Sequence, residues 1–152
     1  MNLDATDVRL LSALQENAQL TAQDLGAVLN LSSSQAGRRR QRLEAMGIIR
    51  SYGARLNPEL VGLTVQAFVQ IQMASHSPQA AKNFARMVKL QPEIISVWTL
   101  TGEADYMLRV YCADLSALNR LIQQVLLPHE AVARVQSQIV MDELKADAPL
   151  AL

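Results

Sequence analysis

The stretch LSSSQAGRRRQRLEAMG, residues 31–47, decides how this chain is read. Ser32 is placed to cap a helix, because a short hydroxyl can accept from the backbone N–H groups that a first helical turn leaves free. The helix runs to about Met46, and Gly47 supplies a C-terminal stop. Ten residues upstream, Thr21 with Asp24 three positions on resembles a capping box, and Leu25, Val28 and Leu29 form the buried stripe of a second helix. Only Asn30 and Leu31 separate the two, and two helices joined so tightly form a helix-turn-helix candidate. In such a motif the second helix enters the major groove and its first residues reach base edges. Here those are Ser33, Ser34 and Gln35, followed by Arg38, Arg39 and Arg42. Hydroxyls and amides can exchange hydrogen bonds with bases, and arginine pairs with phosphate or guanine. A bare run of three arginines reads better as a solvated helix face. The capped helix before it, the short turn and the extended stretch after it reverse that preference.

Working outward, Asp4 can cap a first helix with Val8, Leu11 and Leu14 at helical spacing. After the third helix, residues 48–56, with Ile49, Tyr52 and Gly53, read as a short β-ribbon, or wing, and Asn57-Pro58 as the linker. Two residues of the third helix sit awkwardly. Arg40 falls on the stripe of Ala36 and Leu43, where its stem can pack while its head reaches the edge. Gly37 costs roughly 1 kcal/mol relative to alanine inside a helix.

Beyond the linker the period changes. Residues 63–73 alternate, with Leu63, Val65, Ala67, Val69, Ile71 and Met73 on one face and Thr64, Gln66, Phe68, Gln70 and Gln72 on the other. Ser77-Pro78 opens a helix with Ala81, Phe84, Ala85 and Val88 in line. Residues 94–101 and 106–112 read as strands joined by Gly102-Glu103-Ala104-Asp105. Asp114 caps a helix with Leu118, Leu121, Ile122 and Val125 inward, and residues 135–141 alternate again. The order βαββαβ predicts a ferredoxin-like unit with two helices on one sheet face, and hence an α+β chain divided into residues 1–60 and 61–152.

The 152 residues are half apolar and carry no formal net charge. The positive charge is local, because Arg38, Arg39, Arg40, Arg42, Arg50 and Arg55 are opposed in their segment only by Glu44. Cys112 is the single cysteine, which excludes an intrachain disulfide framework. No signal peptide and no apolar run of about 18 residues is visible, so a soluble, cytoplasmic protein without membrane contact is expected. His76 and His129 are distant from each other and from Cys112, with no metal spacing and no nucleophile–base pattern. Both read as surface histidines in loops. Trp98, Tyr106 and Tyr111 read as core or interface rather than as a cofactor site, and no cofactor is implied.

The chain from Leu3 to Lys145 resembles the leucine-responsive/asparagine-regulator (Lrp/AsnC, feast/famine) family. The likeness is carried by Leu3-Asp4 with Asp7, by Leu11, Leu14 and Leu25, and by LSSSQAGRRRQRLEAMGIIRSYGARLNPELVGL. It is carried again by TGEADYMLRV and IVMDELK in the second half. The departures are Gly37 and Arg40, where the family usually places larger helix formers or apolar residues. The resemblance implies a winged helix-turn-helix joined to a ferredoxin-like regulator-of-amino-acid-metabolism (RAM) domain. It implies transcription regulation through double-stranded DNA, with no enzymatic activity, and an amino-acid response through a small-molecule effector bound between dimers. It also implies homodimers formed through the sheets that assemble further, up to octamers. The family's ligand region maps onto Gly102, Glu103 and Asp105 and onto Gln138, Ile139 and Val140. The loop's own chemistry is compatible: a glycine leaves N–H groups able to meet a carboxylate, and an aspartate can meet an ammonium group. A hairpin turn with a solvated acid remains the alternative. An enzyme on the same scaffold and an RNA binder using the open sheet face are the other classes considered. The second expects stacked aromatics with basic neighbours, where the sequence offers glutamines and Phe68.

Overall fold

A computed structural model describes residues 3–75 and 77–152. The expectation for His76 lies outside the described residues. The chain divides into two compact units, Met1–Arg55 with Leu144–Leu152, and Leu56–Glu143.

The first unit is built from three helices, α1 (Ala5–Glu16), α2 (Ala22–Leu29) and α3 (Ser33–Ala45). Each begins with a reciprocal capping box, Asp4 with Asp7, Thr21 with Asp24, and Ser32 with Gln35. The three entry points anticipated from the sequence are therefore the ones used. Leu10, Leu11, Leu14, Leu25, Leu29, Ala36 and Leu43 form the core. Val28, expected inside, is 47% exposed, and the position that approaches α3 is Gly26 instead. A Cβ there would lie 2.7 Å from the Leu31 carbonyl oxygen, so the turn between α2 and α3 closes only over a glycine. Asn30 adopts the left-handed conformation that the turn requires (φ 58°).

The wing is a correction. Residues 48–56 were expected to pair as a ribbon, but among the described residues they contain no strand. The first two residues bend back, the Ile48 and Ile49 N–H groups donating to the Leu43 carbonyl, and side chains hold the stretch to the rest of the unit. Tyr52 Oη donates to Glu44 at 2.7 Å, and Arg55 donates to the Asp147 carbonyl at 2.6 Å. The C-terminal segment is held in the same unit, with the Gln15 amide meeting both backbone groups of Leu150 (2.6 and 3.1 Å). The units thus divide after Arg55, and the last residues return to the first, where the sequence suggested a single cut after residue 60.

The second unit has the order β1 (Val65–Met73), α4 (Pro78–Lys89), β2 (Ile94–Thr99), β3 (Tyr106–Cys112), α5 (Leu115–Arg120) and β4 (Val132–Ile139). Its antiparallel sheet is ordered β2-β3-β1-β4, the ferredoxin-like arrangement. The alternation read from β1 is borne out, since Ala67, Val69, Ile71 and Met73 are buried while Gln66, Phe68, Gln70 and Gln72 are half-buried on the opposite face. The buried side packs against Phe84, Val88, Leu118, Leu121 and Leu126. Ala85 lies exposed, outside that stripe. Several bounds differ from expectation: β1 starts at Val65 and leaves Leu63 exposed before it, β2 ends at Thr99 rather than at residue 101, and β4 ends at Ile139 rather than at residue 141. Helix α5 widens into a π turn at Leu121–Leu126, and β4 starts at Val132 rather than at residue 135. His129 is half-buried, edge-on to Phe84 with ring centroids 5.8 Å apart, and its Nδ1 accepts from the Ala131 N–H.

Candidate nucleic-acid interface and effector recess

Helix α3 presents Ala36 and Leu43 to the core, so its opposite side carries Ser34, Arg38 and Gln41, all exposed. Ser33 is exposed on the first turn, and Ser34 Oγ accepts from Arg38 Nη2 at 3.1 Å. Gln35 is tied back, its Oε1 accepting from both the N–H and the hydroxyl of Ser32 at 3.1 Å.

The other two arginines expected to face DNA turn toward α1. Arg39 Nη1 lies 2.7 Å from an Asp4 carboxylate oxygen and 2.8 Å from one of Asp7. Arg42 Nη2 reaches both Asp7 oxygens, at 2.7 and 2.6 Å. Asp7 is 1% exposed, the sole buried charged residue among those described, and sequence reasoning missed it. The available signal was its place on the stripe Asp7–Leu10–Leu14, at the same spacing as its apolar neighbours. The Arg39 guanidinium holds the Asp4 carboxyl below its usual range.

Arg40 has its own account. Its stem is half-buried, Nη1 donates to the Leu20 carbonyl at 3.0 Å and Nε to Glu44 at 2.9 Å, and the guanidinium lies 4.6 Å from the Tyr52 ring centroid. Hydrogen bonds from Tyr52 and then Arg40 lower the Glu44 carboxyl, while burial raises the Tyr52 phenol. Gly37 has no comparable reason, because a Cβ there would make only an ordinary 3.6 Å contact with Ala22.

In the second unit the six residues read as an effector region do not converge. The 102–105 loop joins β1 at Ile71, whose carbonyl accepts from the Asp105 N–H, whereas the Val140 N–H donates to Gln66. Those anchor points are five residues apart on one strand, about 16 Å. Gln138 and Ile139 are exposed and pair with Phe68 and Ala67. Asp105 braces its own loop, for its carboxylate accepts from the Met73 N–H at 2.6 Å, where the β1–β4 register shifts. Gly102 takes the positive φ (118°) that the turn needs. Glu103 remains outward and lines a shallow recess of about 40 Å³ with Gln70, Gln72, Ala104, Arg134 and Gln136. Arg134 Nη1 stands 3.8 Å from Glu103 Oε1. A larger groove of about 310 Å³ between α4 and β2 is apolar, lined by Phe84, Val88, Ile94, Val97 and Tyr106 among others, with Lys89 its charged residue. No cluster among the described residues could hold a metal ion, and no helix is long and apolar enough to cross a membrane.

A capped helix-turn-helix followed by a separate ferredoxin-like unit defines a DNA-binding regulator with an attached ligand-binding domain. Residues 3–44 match the AsnC-type helix-turn-helix domain and residues 66–150 the Lrp/AsnC ligand binding domain. The chain belongs to the Lrp/AsnC family of transcriptional regulators. It is 33% identical over 143 residues to the DNA-binding transcriptional activator DecR of Escherichia coli K12, covering 94% of each chain. It is 34% identical over 150 residues to the glutamate uptake regulatory protein of Zymomonas mobilis, covering 99% of this chain and 91% of that one. A Neisseria meningitidis transcriptional regulator solved with L-methionine superposes with a TM-score of 0.94 at 39% identity, covering 99% of this chain and 97% of that one.

Proposed function

We propose that this regulator acts by placing α3 in the major groove, and that an amino acid or related small metabolite held by the second unit alters that contact. The observation that carries the DNA half is the outer side of α3, where Ser33, Ser34 and Arg38 stand exposed on a helix fixed by its cap and by the glycine turn before it. Short polar side chains and one arginine are the groups that read base edges and bond phosphates.

The effector half rests on the recess beside Glu103. A carboxylate and a guanidinium 3.8 Å apart match the ammonium and carboxylate of a free amino acid. Gln70, Gln72 and Gln136 add both donors and acceptors. In this reading Glu103 meets the ammonium, because the Asp105 carboxylate is committed to Met73. Gln138 and Ile139 lie at the far end of β4, with Val140 just beyond it, and would join the site only from a second copy of the chain. A recess of about 40 Å³ also falls far below the few hundred Å³ of an enclosing ligand site, so a second copy would complete its walls. Homodimers formed through the open sheet face around Gln66, Phe68 and Gln70, and even-numbered assemblies up to octamers, fit that requirement. An L-methionine complex of one relative and the glutamate-uptake role of another support the amino-acid class. The relatives are regulators, and we read this chain likewise as a cytoplasmic binding protein without catalytic step or cofactor.

The test is a thermal-shift screen of wild type and Glu103→Gln against the standard amino acids. A ligand at 100 times its Kd adds about 2.7 kcal/mol to stability. Glu103→Gln should need on the order of tenfold more ligand for the same shift, through loss of a charge-assisted bond. Equal responses in the two proteins would remove Glu103 from the site, and no response from wild type to any amino acid would remove the effector class.

A further inference from the structure

Two glutamines of α3 could in principle read adenine, and the structure separates them. Bidentate recognition of adenine uses one amide twice, its oxygen accepting from N6 and its nitrogen donating to N7. The Gln35 oxygen is already bonded to the Ser32 N–H and hydroxyl as the return half of the capping box. Gln35 could therefore read adenine only by abandoning the helix cap. Gln41 has the same amide without that commitment. It is exposed, and its side chain makes no hydrogen bond among the described residues.

Its position is equally favourable. Ser34, Arg38 and Gln41 are spaced four and three residues apart and so share one face of α3, opposite Ala36 and Leu43. Ala45, four residues further, is exposed on the same face and adds no bulk beside Gln41. Arg39 and Arg42, which flank this row in sequence, are turned onto Asp4 and Asp7. The row Ser34–Arg38–Gln41 is thus exposed and, among the described residues, tied neither to α1 nor to the helix cap.

We propose that Gln41 is a specificity-determining residue of this regulator, reading the N6/N7 edge of an adenine one helical turn beyond the contact made by Arg38. The proposal rests on α3 being the DNA-reading helix.

The experiment is binding-site selection from a randomised duplex pool by the full-length wild type, Gln41→Ala and Gln35→Ala, with melting temperatures of all three. Wild type should select an A·T pair at a fixed position in its site. Gln41→Ala should lose preference at that position alone, bind the wild-type site about tenfold more weakly, and melt as wild type does. Gln35→Ala should keep the A·T preference and melt at a lower temperature. The proposal is overturned if Gln41→Ala selects the same bases as wild type, if the lost preference lies at a G·C pair, or if Gln35→Ala is the variant that loses it. A wild type that selects no site at all would instead remove α3 as the reading helix, and Gln41 with it.

Discussion

A carboxylate taken out of water is costly unless charge and hydrogen bonds replace its hydration. Asp7 meets that condition with Arg42 on both oxygens and Arg39 on one, while the Asp4 N–H donates to the second oxygen at 3.3 Å. Arg39 and Arg42 therefore fasten α1 to α3, and their replacement should register first as lost stability. Arg42→Ala leaves Arg39 on the buried carboxylate and should cost roughly 1–2 kcal/mol. The Arg39→Ala/Arg42→Ala double variant leaves Asp7 without a cation and should cost roughly 3–5 kcal/mol, read from the urea midpoint. Unchanged midpoints, with a shallower salt dependence of DNA binding, would mean that both arginines contact phosphate instead. Arg40 shows how local context settles an apparent misfit. An arginine on a buried stripe is tolerated where a carbonyl, a carboxylate and an aromatic ring receive it.

At the scale of elements, the two glycines of the helix-turn-helix should behave oppositely. Gly26→Ala pushes a Cβ against the Leu31 carbonyl oxygen at 2.7 Å and should destabilise by roughly 1–3 kcal/mol. Gly37→Ala meets only ordinary contact and should stabilise by about 1 kcal/mol. Thermal midpoints of the two variants moving in opposite directions is the expected result, and a loss on Gly37→Ala would reveal a constraint absent from the helix packing. Much of this architecture was legible in the sequence, because caps and periods are local. Asp4, Thr21 and Ser32 each announce a helix start within four residues, and the alternation of β1 assigns its two faces. What was not legible depends on partners distant in sequence. Asp7 reads as an ordinary first-turn acid until Arg39 and Arg42, more than thirty residues on, are placed beside it. Residues 48–56 have a strand-like composition, yet a ribbon needs a second strand, and none lies within this stretch. In the candidate site, the sequence reading gives the ammonium contact to the aspartate of the 102–105 loop, because residue type alone does not say which acid a fold turns inward. Only the fold shows that Asp105 turns back to Met73 while Glu103 faces the recess.

For the whole molecule, charge is divided between the units although the total is zero. The helix-turn-helix unit with its returning tail carries eight basic and six acidic side chains, the sheet unit six and eight. Several of those basic groups are internally paired, and Arg38, on the outer face of α3, has no carboxylate partner among the described residues, so the account depends on it more than on the run of arginines as a whole. The measurement that bears most directly on that claim is fluorescence anisotropy of the full-length protein on the duplex it selects, for wild type and Arg38→Glu, across a salt series. Arg38 is exposed and, among the described residues, bonded only to Ser34, so its reversal should leave the melting temperature nearly unchanged. Binding should fall by tenfold or more, with the slope of log affinity against log salt shallower by about 1. A folded Arg38→Glu protein that binds the same duplex with wild-type affinity and salt dependence would contradict the account.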